Sequence, residues 1–152
     1  MSNVLVRNRS KSEFQYIYNA VQIREYITSI IMNEKYFPKR YRFIFTVPIE
    51  ELCRKMVQAA NSYRLCGESL DTVNEDTYKI LYTRRINALK DILESCENIL
   101  AEFHVARKQF YIKSNVYEKV VGQIVDEQEL IEELYDFEKE RYVKFLKKHK
   151  NN

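Results

Sequence analysis

Glycine and proline are scarce in this chain, since its 152 residues contain only two of each. Average usage of about 7% glycine and about 5% proline would give several times more. Sandwiches, barrels and nucleotide folds with glycine-rich loops need frequent tight turns, so this composition disfavours them. The length suits one domain with a single core. We therefore expect an all-α protein with one domain over residues 1–152, frayed at 1–10 and 147–152.

Cysteine is also sparse, with Cys53, Cys66 and Cys96 forming an odd set that contains no C-x-x-C pair. No secretory leader precedes them, so a reduced, cytoplasmic location fits best. Cys53 and Cys96 fall in apolar helical stripes and are predicted to be buried thiols. No apolar run approaches the roughly 18 residues that span a bilayer, and the mean hydropathy is −0.49. We therefore expect a soluble protein without a membrane segment.

The two histidines lack the spacing of a metal site. Helical bundles that hold paired metals use Glu-x-x-His, because each ion needs an imidazole and several oxygens. Here Ala101 stands three residues before His104, and Leu146 stands three before His149. We expect no metal and no cofactor.

Other catalytic patterns are equally weak. Cys96 and His104 are eight residues apart on one predicted helix, about 12 Å along its axis, which is too far for a hydrogen bond. Gly67 and Gly122 stand alone, so no glycine-rich loop can cradle a phosphate. We expect that the chain is not an enzyme.

Charge is distributed unevenly, although the formal net charge is only +3. Residues 1–64 are basic, 65–113 are nearly balanced, and 114–152 are slightly acidic. The stretch 126–140 carries eight acids and one base and is followed by a lysine-rich tail. Acidic residues near the start of a helix and basic residues near its end compensate the helix macrodipole. We therefore interpret this order of charges as compensation of the dipole of helix four and as a contribution to the solubility of the protein.

Apolar spacing predicts two helices in the first half of the chain. Ser10 and Ser12 have capping-box spacing and predict the start of helix one, which should end near Asn33. Helix two has two alternative starts: near Pro48, with Thr46 or Val47 as cap, or near Pro38 with a kink at Pro48. It should end near Arg64, before a loop over 65–73.

The second half predicts two longer helices. Asn74 can cap helix three, whose apolar stripe continues from Tyr78 to Phe103 and predicts a helix of about 50 Å that needs long partners. Ser114 and Asn115 should start helix four, with an inward stripe that includes Val120, Ile124, Ile131 and Leu134. Short connections favour an antiparallel up-down-up-down four-helix bundle.

The segment between helices one and two mixes basic and aromatic residues. Lys35, Lys39, Arg40 and Arg42 interleave with Tyr36, Phe37, Tyr41 and Phe43, while Arg7, Arg9 and Lys11 precede helix one. Such a mixture can pair with phosphates and stack on bases. Alternatively, the aromatic residues fasten a helix junction and the bases are solvated. The 12 tyrosines and 8 phenylalanines also favour self-association.

The sequence FPKRYRF at 37–43, followed by the helix from Ile49 to Tyr63, resembles a bacterial family of small four-helix-bundle proteins. The resemblance continues over 84–100 and 112–124 and covers roughly residues 13–140. One branch of the family comprises accessory variability determinants of diversity-generating retroelements. The other comprises proteins encoded by intervening sequences in 23S ribosomal RNA genes.

The resemblance implies a homopentamer with a basic surface that binds RNA or DNA and assists a reverse transcriptase in mutagenic retrohoming. The matching basic residues, expected to bind nucleic acid, are Lys39, Arg40, Arg42, Arg84 and Arg85. The loop 65–73, the acidic run 126–140 and the lysine tail have no counterpart in the family pattern. The alternative function is a structural or protein-interaction bundle that self-assembles and binds no nucleic acid.

Overall fold

The computed structural model describes residues 13–67 and 73–150. Its α-helices are α1 (Gln15–Ile31), α2 (Val47–Leu65), α3 (Glu75–Gln109) and α4 (Ser114–Lys150). No strand occurs in the described residues. The predicted all-α class is therefore confirmed.

The helices surround one main apolar core. Helix α1 packs against α2 and α4, and α3 packs against the same two helices. Ile27, Met56, Ile92 and Ile124, one from each helix, are completely buried. Each predicted apolar stripe thus contributes to the same core.

Most predicted helix limits agree with the structure. Asn74 caps α3, since its side-chain oxygen accepts a hydrogen bond of 2.8 Å from the backbone amide of Thr77. Helix α4 begins at Ser114 as expected, and α1 ends within two residues of Asn33. The predicted caps of α1, at residues 10 and 12, lie outside the described residues.

The start of α2 combines features of both alternatives. A 3₁₀ turn over Lys39–Tyr41 and a π-helical turn over Arg42–Thr46 lead directly into α2. Pro48 has no amide hydrogen, and its ring crowds the carbonyl of Ile44 four residues earlier. The α-helical hydrogen bond between these two residues is therefore lost, and the wider π-helical turn occurs at this point. Helical structure therefore begins just after Pro38, and its geometry changes ahead of Pro48.

Thr46 occupies the N-cap position of α2, as one alternative predicted, with Pro48 in the first turn. Its side chain makes no capping hydrogen bond, and its hydroxyl instead donates to the carbonyl of Ile31 at 3.5 Å. Thr46 thus ties the start of α2 to the end of α1.

The helices differ in length. By the usual rise, α3 and α4 are about 53 and about 56 Å long, whereas α1 and α2 are about 26 and about 29 Å. The prediction that α3 needs long partners is therefore right only for α4.

A second aromatic cluster joins the first part of α3 to the last part of α4, with Tyr78 stacked on Phe145 at 3.9 Å and Tyr82 on Tyr142 at 4.2 Å.

Fraying of residues 147–152, expected from the sequence, stays a prediction for the tail of α4. The helix continues through Lys147 to Lys150, and its basic last turn suits the negative end of the helix dipole. Residues 151–152 lie outside the described ranges, as do 68–72 of the predicted loop.

Two of the thiols are buried as predicted. Cys53 and Cys96 have no exposed surface, and burial raises the pKa of each to about 12. The Cys96 sulfur lies 3.8 Å from the sulfur of Met56. These thiols are protonated at neutral pH and serve as apolar core groups.

Candidate nucleic-acid interface

Aromatic side chains fasten the segment between α1 and α2 to the end of α3. The rings of Phe37, Tyr41 and Phe45 pack around Phe110, with centroid distances of 5.7, 5.1 and 5.2 Å. Phe37 also meets Phe103 edge to face at 5.9 Å. Tyr41 and Phe45 lie in the helical turns that precede α2, whereas Phe37 lies just before Pro38, and all three rings reach Phe110.

The residues between these anchors point outward. Phe43 is 83% exposed and its neighbour Ile44 is also exposed. Tyr111, directly after Phe110, is 81% exposed. Some aromatic residues thus fasten the junction, as one interpretation held, while two rings are presented to solvent.

Exposed cations lie along the same two segments as these exposed rings. We define the junction end as residues 32–46 together with 107–113, which Phe110 brings into contact. Its seven lysines and arginines are all exposed. They are Lys35, Lys39, Arg40, Arg42, Arg107, Lys108 and Lys113.

None of these cations forms an ion pair with a carboxylate of the described residues, although the exposed Glu34 belongs to the same segment. The two ion pairs between described residues, Arg24 with Glu50 and Arg85 with Glu138, involve none of the seven. A concentration of exposed, unpaired positive charge attracts polyanions.

Aromatic faces position two of these cations. The guanidinium of Arg40 lies 4.8 Å from the ring centre of Tyr41, and that of Arg107 lies 4.4 Å from the ring centre of Tyr117. Contact with an aromatic face restricts a guanidinium while its hydrogen-bond donors stay free for phosphates.

The structure brings together only three of the five predicted binding residues. Lys39, Arg40 and Arg42 share the junction end. Arg84 is exposed, but it precedes Phe110 by 26 residues on one continuous helix, a separation of about 39 Å. Arg84 therefore belongs to a different surface.

Arg85 lies inside the protein, with only 5% of its surface exposed. Its guanidinium donates to a carboxylate oxygen of Glu138, to the hydroxyl of Tyr63 at 3.3 Å and to the carbonyl of Cys66 at 2.8 Å. Arg85 belongs to α3, and its hydrogen bonds connect this helix to the end of α2 and to α4. Its position does not suit the predicted contact with nucleic acid, because its side chain is enclosed and engaged.

The second basic segment, Arg107 to Lys113, was not predicted from the sequence as a binding site. It contains Arg107, Lys108, Tyr111 and Lys113 close to the predicted start of helix four. The same mixture of bases and aromatic residues that marked 35–43 is present here. The basic residues at 7, 9 and 11 lie outside the described residues.

No family model, curated protein or solved structure matches this chain. Within the described ranges, no three His, Cys, Asp or Glu side chains gather as metal ligands would. None of the helices described above is long and apolar enough to cross a membrane.

Proposed function

We propose that this chain is a non-catalytic accessory protein that binds RNA or DNA through its junction end. The observation that carries the proposal is the meeting of two basic, aromatic segments, 35–43 and 107–113, around Phe110. Seven exposed cations and two exposed rings lie on these two segments.

This combination supplies the two contacts that single strands require. Lysine and arginine neutralise phosphates and release counterions, which gives salt-dependent affinity. Exposed aromatic rings stack on unpaired bases of any sequence. Phe43 and Tyr111 therefore favour a single strand over a duplex.

An up-down-up-down order of antiparallel helices is part of the proposal. Contacts between neighbouring helices support this order. Residues further along one helix contact residues that come earlier in the next helix, as antiparallel helices require. Between α1 and α2, Tyr16 lies against Tyr63, whereas Arg24 lies against Glu50. Other neighbouring pairs are Tyr63 with Arg85, Met56 with Cys96, Arg85 with Glu138, Glu97 with Gln128, and Tyr26 with Lys119.

The resemblance to retroelement accessory proteins supplies two further predictions, a reverse transcriptase partner and a homopentameric assembly. A cytoplasmic location is also proposed, on the odd set of cysteines without a C-x-x-C pair. In this view the enzyme of the reaction is the partner, and this chain presents nucleic acid to it.

Fluorescence anisotropy with labelled single- and double-stranded RNA and DNA tests the proposal at about 50 and about 200 mM salt. We expect binding that weakens strongly with salt. In a variant with Lys39, Arg40 and Arg42 changed to alanine, the logarithmic salt slope should fall by about 2 for a single strand. A control changes Lys144, Lys147 and Lys148 to alanine, which removes equal charge from α4 and should leave most of the slope.

Equal losses in the two triple variants would mean that only net charge matters and would reject the junction end as the site. A second variant, Phe43→Ala with Tyr111→Ala, should weaken single-strand binding by about 1–3 kcal/mol per lost stacking contact without altering the salt slope. Tyr18→Ala removes an exposed ring of α1, 59% exposed, and serves as its control.

A protein-interaction bundle is the second candidate function. Its specific support is the group of large apolar side chains exposed away from the junction end, including Phe14, Tyr18 and Phe137. Sedimentation that shows an oligomer, together with no nucleic-acid binding at the lower salt, would favour this function.

A further inference from the structure

A groove runs along the seam between α2 and α3, and no other helix lines it. It consists of two adjoining cavities of about 390 and about 330 Å³, which share Leu52, Lys55 and Asn98. Pro48 lines one end and Ser62 the other, so the groove extends for roughly 20 Å along α2. Its volume and length suit an extended small molecule.

Carboxylates line both ends of this groove. Glu51 and Glu102 line one end, and Asp91 and Glu94 line the other. None of the four forms an ion pair or accepts a side-chain hydrogen bond within the described residues. On α3, Glu102 follows Glu94 by eight residues and Asp91 by eleven, which separates the two ends by roughly 12 to 17 Å along the helix.

Two lysines reduce the negative charge without neutralising it. Lys55 lines both cavities and stands four residues after Glu51, whereas Lys90 lies outside the lining and stands four residues before Glu94. Both lysines are exposed, and neither forms an ion pair within the described ranges. With four carboxylates and one lysine in its lining, the groove attracts a cation.

Ser95 supplies an unused hydrogen-bonding group in the wall of the groove. It is only 6% exposed and lines the larger cavity. Its hydroxyl makes no hydrogen bond within the part of the chain that the structure describes, and it is not among the fully enclosed atoms there. A nearly buried hydroxyl without a partner is costly unless water or a ligand satisfies it.

The wall between the charged ends suits the body of an aliphatic molecule. Leu52 and Ala59 contribute apolar surface there, and Ser95 and Asn98 contribute neutral polar groups. Lys55 is the one cation of this wall, and its long side chain can turn its ammonium group out to water. A ligand with charge at both ends and methylene groups between them matches this order.

We propose that the groove binds a linear aliphatic polyamine, whose terminal ammonium groups meet the two pairs of carboxylates. Its methylene groups cover Leu52 and Ala59, and an inner amine donates to the hydroxyl of Ser95. One metal ion cannot replace this ligand, because metal–oxygen bonds of about 2.0–2.6 Å cannot join ends that lie this far apart. An extended spermine chain spans the groove, whereas the shorter putrescine reaches only one pair.

Isothermal titration calorimetry on the full chain, without nucleic acid, tests this with spermine, putrescine and magnesium chloride. At about 50 mM salt we expect spermine to bind with a dissociation constant below about 0.1 mM and both other ligands to bind at least about tenfold more weakly. Binding should weaken at about 200 mM salt. In ¹H–¹⁵N spectra, the backbone amide signals of Ser95 and Asn98 should shift when spermine binds.

Exposed carboxylates provide a variant and a matched control that should both leave the fold intact. Asp91→Asn with Glu94→Gln removes one pair from the groove and should weaken spermine binding roughly tenfold. Glu129→Gln with Glu133→Gln removes equal charge from the exposed face of α4. This control should bind spermine nearly as the parent does.

Two single variants test the wall of the groove. Ser95→Ala removes the hydroxyl and should weaken spermine binding about fivefold. Lys55→Gln removes the lining cation and should tighten it, because a like charge beside the ligand is lost. A general attraction of polyamines to acidic surfaces would not respond to the hydroxyl of Ser95.

Three results would overturn the proposal. The first is no spermine binding at the lower salt, and the second is putrescine or magnesium binding as tightly as spermine. The third is an equal loss in the two double variants, which would mean that the acidity of the whole surface, rather than the groove, attracts the ligand. These variants leave the junction end unchanged and the titrations contain no nucleic acid, so each function can fail separately.

Discussion

Two buried glutamates on α4 occupy contrasting environments. Glu127 and Glu138 belong to the same acidic run, and both are almost completely buried. Glu138 accepts hydrogen bonds from Arg85 and from the hydroxyl of Tyr63. Both carboxyl oxygens of Glu127 lack a hydrogen-bond partner among the described residues.

The difference shows two solutions to one physical problem. A carboxylate removed from water must be paired or must take up a proton. Arg85 supplies the pairing for Glu138. At Glu127, burial raises the pKa from 4.5 to about 8, so this side chain is mostly neutral at pH 7.

The largest expected effect comes from removing the partner of Glu138. Arg85→Met leaves a buried carboxylate uncompensated and should lower the free energy of unfolding by about 4 kcal/mol. Urea denaturation followed by circular dichroism measures this change. Arg84→Met, at the exposed neighbouring position, should cost less than about 0.5 kcal/mol.

The double variant Arg85→Met with Glu138→Leu sharpens this result. Because it removes both charges, it should recover most of the stability lost in the single variant. A double variant no more stable than Arg85→Met would show that packing, rather than the uncompensated charge, caused the loss.

The next effect is a pH dependence from Glu127. Its pKa is about 8 in the folded chain against 4.5 as the ordinary value, so the folded state binds the extra proton between these limits. The stability from this group is complete below about pH 4.5 and is lost as pH rises towards 8. The loss should be on the order of 3 kcal/mol between about pH 5 and about pH 8.

Glu127→Gln tests this assignment, because the amide cannot titrate. We expect urea denaturation of this variant to lose that part of the pH dependence, whereas Glu129→Gln, an exposed neighbour, should retain it. If the parent and Glu127→Gln lose stability in parallel across this range, the buried carboxyl is not the titrating group.

The contrast also explains what the sequence could predict. Helix limits followed from apolar spacing and caps, as at Asn74. The acidic run was interpreted as dipole compensation and solubility, which is wrong for Glu127 and Glu138. Both fall at the helical spacing of the inward stripe formed by Ile124 and Ile131, and this was the available signal.

Partners across the bundle were harder to predict. Arg85 lies on the inward side of α3 between Tyr82 and Leu89, yet only the packed chain shows that Glu138 faces it. The junction end was only partly predicted for the same reason. Lys39, Arg40 and Arg42 were predicted as binding residues, but the segment 107–113 that packs beside them was not. Spacing along one helix identifies a face, whereas the residues that meet it depend on how the helices pack.

The smallest effect should come from the hydroxyl that completes the paired site. Tyr63→Phe removes the hydrogen bond to Glu138 but leaves Arg85 in place, so we expect a loss of about 1–2 kcal/mol in urea denaturation. Tyr16→Phe is the matched control, since this adjacent buried tyrosine makes no side-chain hydrogen bond within the described residues. A loss at Tyr63 as large as that of Arg85→Met would mean that the hydroxyl contributes as much as the arginine to stabilising Glu138 inside the protein.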